Sequence, residues 1–84
     1  MLLRAGDLLV QRVPKLRWWA MVEDEIDSVV FTEQGTPATV LRHSARDSLS
    51  HEADCLDVVV DGRQYRAFVK PSMLEQLWEV TCIQ

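Results

Sequence analysis

Apolar and polar residues alternate with a period of two along most of this chain. That is the spacing of half-buried strands rather than of helices. Residues Asp7–Val13 read as a first strand, opened by Gly6 and stopped by Pro14, which offers no N–H to a ladder. A second extended piece covers Trp18–Val22. The acidic group Glu23, Asp24, Glu25 and Asp27 surrounds Ile26 and suits a solvated turn or loop tip. Ser28–Thr32 is rich in β-branched residues and reads as a strand. Gln34-Gly35-Thr36-Pro37 is a turn, and Ala38–His43 is the next strand. Residues 44–54 are polar, lack a clean period, and read as a long surface loop.

The clearest local signal is Leu56–Val60, then Asp61-Gly62, then Arg63–Val69. Asp-Gly between two β-rich runs marks a two-residue hairpin, because both residues tolerate the positive φ of a type I′ turn. That turn fixes a register: Val60 with Arg63, Val58 with Tyr65, Leu56 with Ala67, Val59 with Gln64, and Asp57 with Arg66. Asp57 and Arg66 then form an ion pair on the solvent face. Pro71 opens a short run of helix formers, predicting one helical or 3-10 turn over residues 71–77. Alternation resumes from Trp78 to Ile83. The expected core is Leu8, Val10, Val40, Leu56, Val58, Tyr65, Ala67, Val69, Leu74, Leu77, Trp78 and Val80. Five or six short strands with one late turn predict an all-β, small, partly open antiparallel barrel, in one domain over residues 1–84.

The order of Gly6-Asp7-Leu8-Leu9, Gly35–Leu41, Val58-Val59-Val60-Asp61-Gly62 and Ser72-Met73-Leu74-Glu75 resembles that of small SH3-like barrels, including the KOW-like kind. It is most similar to the short barrel proteins of tailed bacteriophages. Those often begin on a Gly-Asp-Leu strand and place a Val-x-x-Asp-Gly hairpin before a final Leu-Glu strand. The resemblance covers the chain outside residues 14–34 and 44–54. It implies a structural or binding job with no catalytic residues, and a place in the host cytoplasm or the virion. Residues 14–34 then correspond to the long arm that commonly carries partner contacts in such folds.

Composition narrows the functional classes. The chain has 84 residues, with 9 Lys+Arg against 13 Asp+Glu and a net charge of -4. That balance argues against nucleic acid, whose binders usually present net positive charge. No apolar run reaches the roughly 18 residues that span a bilayer, and Met1–Asp7 does not read as a signal peptide. Cys55 and Cys82 are expected to be reduced, half-buried thiols. The charge is unevenly spread: +3 over residues 1–22 (Arg4, Arg12, Lys15 and Arg17 less Asp7), -4 over residues 23–27, and -3 over the rest.

Four groupings could carry chemistry. Arg12, Lys15, Arg17, Trp18 and Trp19 interleave cations with aromatics, which suits protein interfaces and also single-stranded nucleic acid. Neighbours on a strand face opposite ways, so one of Trp18 and Trp19 is expected in the core and the other at the surface. Glu23, Asp24, Glu25 and Asp27 are dense carboxylates without the spacing of a calcium loop. His43, His51, Cys55, Asp47, Asp54 and Asp57 are zinc ligand types, but the paired short spacings of zinc sites are missing; both histidines are expected to decorate the loop. Ser44, Ser48 and Ser50 near His43, His51 and Asp47 lack the rigid frame that nucleophilic catalysis needs. The expectation is therefore a non-catalytic structural or adaptor protein, without metal or cofactor, such as a capsid cement, neck or tail part. It would act by self-association or by docking on a larger assembly, through Arg12, Lys15, Arg17, Trp18, Trp19, Glu23, Asp24, Glu25 and Asp27. Two alternatives are a KOW-like regulatory module linked to nucleic acid and a small inhibitor of a host protein.

Overall fold

A computed structural model describes residues 2–44 and 53–82. Strands β1 (Leu8–Gln11), β2 (Lys15–Val22), β3 (Glu25–Glu33), β4 (Pro37–Ser44), β5 (Asp54–Val60), β6 (Arg63–Val69) and β7 (Trp78–Thr81) form one antiparallel sheet. Its order is β3-β2-β6-β5-β4-β1-β7. A 3-10 turn at Pro71–Met73 and a one-turn helix, α1 (Leu74–Leu77), precede β7. Residues 45–52, most of the expected 44–54 loop, lie outside the described residues; Ser44 and Asp54 belong to β4 and β5.

The β5–β6 register is the one the Asp61-Gly62 turn dictates, from Val60–Arg63 through Leu56–Ala67, and it continues to Asp54–Val69. Asp61 (φ 51°) and Gly62 (φ 77°) both take the positive φ of a type I′ turn. The sheet curls so that its inner face buries Leu9, Trp18, Val40, Leu56, Val58, Ala67, Val69, Leu74 and Trp78. Tyr65, Leu77 and Val80 pack partly buried against that cluster. The curl is not a continuous ladder. The β2–β6 ladder has the rungs Trp19–Arg66 and Ala20–Tyr65, and β2 reaches β7 through side chains: the Trp18 and Trp78 rings lie 5.5 Å apart.

Two expectations about the core are corrected. Leu8 and Val10 are half-buried, and Leu9 is the β1 core residue at 0% exposure. The run Leu8-Leu9-Val10 is apolar on both faces, so only its flanks could have set its parity, and these were polar: Asp7 and Gln11. Both are buried alongside Leu9, because their polar groups are satisfied. Asp7 Oδ2 accepts from the Arg4 N–H (2.9 Å), and Gln11 Nε2 donates to the carbonyls of Thr32 (2.8 Å) and Val13 (2.9 Å). A shift of one residue inverts a strand's faces. Asp57, expected at the solvent face, is 2% exposed, because the Arg66 and Arg42 side chains lie against it.

Candidate interaction surface

The arm at residues 14–34 is a hairpin, β2–β3, joined by Glu23 (φ 51°) and Asp24 (φ 65°). Two non-glycine residues at positive φ form the same kind of turn as Asp61-Gly62, without its sequence signal. The hairpin's inner face is part of the core. Trp18 is 1% exposed and packs on Trp78 and on Tyr65, the latter ring 6.3 Å away. Its Nε1 donates to Thr32 Oγ1 (2.8 Å), and that hydroxyl donates to Gln11 Oε1. The buried indole N–H is thereby satisfied, and the arm is tied to β1 by side chains. The expected division between the tryptophans therefore falls with Trp18 inside and Trp19 on the opposite, half-exposed face.

The remaining candidates are spread over the outer face, the base and the tip of the hairpin. Lys15, Arg17 and Trp19 alternate along β2, opposite Glu33, Phe31 and Val29 of β3. The Lys15 ammonium stands over the Phe31 ring (4.3 Å to the centroid), and the Arg17 guanidinium over Trp19 (5.4 Å). Phe31 is 56% exposed and Val29 43%. Arg12 is exposed just before β2, and its backbone N–H donates to the Leu77 carbonyl (2.8 Å). Glu23 and Asp24 form the tip, while Glu25 and Asp27 are exposed on the first part of β3. So every candidate except Trp18 is at least partly open to solvent along one hairpin, with cations at its base and carboxylates at its tip.

Sequence reasoning did not single out Val29, Phe31 or Phe68 as surface residues. Ser28–Thr32 is rich in strand formers on both faces, so its composition could not say which side the fold would cover. The Lys15–Phe31 contact depends on the strand pairing. Where β2 and β6 splay, a recess of ≈ 120 Å³ opens between Arg17, Trp19 and Phe68, over Leu77 and Trp78.

The other candidate groupings are structural ties. Burial pushes the Asp57 carboxyl up, but the hydrogen bonds and charges of Arg66 and Arg42 outweigh it and hold the group below its ordinary 3.8. Arg66 Nε donates to Oδ1 (2.7 Å); Arg66 and Arg42 each donate to Oδ2 at 3.2 Å. His43 is a buried strand residue, not a loop decoration. Its Nδ1 accepts the Leu3 N–H (2.8 Å), which leaves the ring proton on Nε2, facing Asp54 Oδ2 at 3.0 Å. Both ring nitrogens are engaged, and among the described residues no group of three or more His, Cys, Asp and Glu could hold a metal ion. Of the other residues weighed for zinc or nucleophilic roles, Asp47, Ser48, Ser50 and His51 lie outside the described residues. Cys55 is half-buried on β5, while Cys82 is exposed rather than half-buried; the two are not bridged.

The chain matches no family model, and no curated protein or solved structure gives a match. Among the described residues, no helix is long and apolar enough to cross a membrane.

Proposed function

We propose that this protein is a non-catalytic assembly module that docks through the outer face of its β2–β3 hairpin. The carrying observation is the surface made by exposed Val29 and Phe31 and half-exposed Trp19, flanked by Lys15 and Arg17, on the hairpin at one edge of the sheet. Aromatic side chains and arginine are the types that dominate interface energetics, and an apolar centre with a charged rim is the usual layout. The buried polar groups Asp57 and His43 are engaged in ties within the fold.

The finer identity we propose is an SH3-like barrel of the kind found in tailed bacteriophages, working as a capsid cement, neck or tail part. The curled antiparallel sheet, the Asp61-Gly62 hairpin and the short helix before the last strand support that reading. Cations stacked on rings are also the chemistry of a single-stranded nucleic-acid platform. Here Lys15 and Arg17 sit over the rings that bases would need, and the net charge is -4.

Photo-cross-linking from position 31, with position 73 as a control on the helical side, tests the proposal in cells that make the protein. A discrete adduct of fixed composition from position 31, absent from position 73 and lost in a Trp19→Asp background, is the expected result. Equal, diffuse labelling from both positions would sink it.

A further inference from the structure

The β2–β3 hairpin is electrically polarised along its length. Counted over the whole hairpin end, Arg12, Lys15 and Arg17 less Glu33 give +2 at the base, and Glu23, Asp24, Glu25 and Asp27 give -4 at the tip, where Glu23 and Asp24 form the turn and Glu25, opposite Val22, lies on the reverse face from Trp19. Between them lie Trp19, Val29 and Phe31. The eight residues of β2 span about 26 Å at the usual rise. That is roughly three Debye lengths at physiological salt, so the two ends act as separate poles.

The free edge of β3 is poorly suited to adding a strand. Its register with β2 shifts between Ala20 and Met21, leaving Asp27 as an extra residue, and such irregularities twist an edge out of line. Towards its other end, the Thr32 carbonyl accepts from Gln11 Nε2. The face carries no such guard.

We infer that a second copy of this chain docks face to face on the outer surface of the hairpin, about a two-fold axis through the Trp19–Val29–Phe31 region. This rests on the reading of that face as the assembly surface and names its occupant. A two-fold contact uses one patch twice. With the hairpins antiparallel, the tip of each copy lies over the base of the other, so both ends attract. With the hairpins parallel, tip meets tip and base meets base, and both ends repel. The apolar centres meet in either case, so the charges select the antiparallel arrangement. The face is only two strands wide, less than the roughly 800 Å² per partner of a standard stable interface. The dimer is therefore dependent on concentration and on salt.

Light scattering over a range of concentrations tests this with paired charge reversals. The wild-type mass rises towards twice the chain mass as concentration increases, and falls back in high salt. Lys15→Glu with Arg17→Glu makes a base-reversed variant; Glu23→Lys with Asp24→Lys makes a tip-reversed variant. Each alone is monomeric, and an equimolar mixture forms a mixed dimer at least as tight as wild type. Circular dichroism and melting of each variant establish that it is folded, and Phe31→Asp gives an independent apolar-centre variant that stays monomeric. A wild-type chain that remains monomeric throughout, or dimerises while the mixture of folded variants does not, overturns the inference. The cross-linking result separates the two levels. A discrete adduct to another protein from position 31, with a monomeric chain, removes the second copy and leaves the assembly face standing.

Discussion

The two hairpins of this fold share a turn geometry and differ in almost everything else. β5–β6 turns at Asp61-Gly62, sits inside the sheet, and has a first strand that is largely buried. β2–β3 turns at Glu23-Asp24, ends the sheet, and has a second strand that is mostly exposed. The inner hairpin turns its charges into ties, with Asp57 enclosed by Arg66 and Arg42. The outer hairpin leaves its charges in solvent, sorted by sign to opposite ends. Position in the sheet, rather than local conformation, decides which hairpin is enclosed by the fold and which keeps one face open to solvent.

The largest expected effect breaks this division where the outer hairpin enters the core. Trp18→Ala removes a buried ring with two aromatic neighbours and takes the indole donor from the Thr32 hydroxyl, which keeps its bond to Gln11, at a cost of about 3–5 kcal/mol. Chemical denaturation measures it. A small loss would mean that the hairpin is held by its backbone rungs and not by the indole.

Within the inner hairpin, Asp57→Ala costs about 2 kcal/mol, below the range for a fully buried ion pair, because the Arg42 side chain is 65% exposed and can be rehydrated. Its pH signature has a definite sign. The folded carboxyl titrates below its ordinary 3.8, so its contribution is full above that value and is lost as pH falls from there through the depressed folded value. Asp57→Asn removes that acid-side loss. A stability profile in acid that keeps its slope in the variant would locate the titration elsewhere.

Backbone strain sharpens the contrast between the turns. L-residues at positive φ cost energy that Gly avoids and Asn tolerates. Glu23→Asn with Asp24→Gly is expected to raise stability by about 1 kcal/mol, read as a higher melting temperature. The smallest effect belongs to Trp19→Ala, below about 1 kcal/mol in denaturation because the ring is half-exposed, while the proposed docking face predicts that it weakens assembly. Equal losses at Trp18 and Trp19 would erase the distinction between the two faces of β2.

Much of this contrast was legible in the residues, and for uneven reasons. Asp61-Gly62 is a turn signal strong enough to fix a register, and the observed Val60–Arg63 to Leu56–Ala67 rungs follow it. The acidic tip was legible because four carboxylates in five positions seek water. Glu23-Asp24 carries no glycine, so its close kinship to the other turn was hidden. β1 was inverted because Asp7 and Gln11 look like solvent positions until their partners at Arg4, Val13 and Thr32 are known. The burial of Asp57 also escaped the sequence, since Arg42 reaches it from a strand paired on the far side of β5. Phe31 as a surface ring belongs to the same class: its exposure depends on which elements cover β3, a property of the whole sheet.

The contact between Trp18 and Trp78 has a consequence for motion. The two rings meet by ring contact alone, and the Trp18 N–H is bonded within its own hairpin to Thr32, so the rings can separate and re-form without breaking a peptide hydrogen bond between β2 and β7. The roll of the sheet is thus fastened there by a soft clasp. A swing of β2 and β3 away from β7 about the Trp19–Arg66 and Ala20–Tyr65 rungs then has only the Gln11 bonds to Thr32 and the chain beyond it left to release. Indole emission and ring-current shifts would report that breathing directly, while the amides of β5 and β6 stay protected.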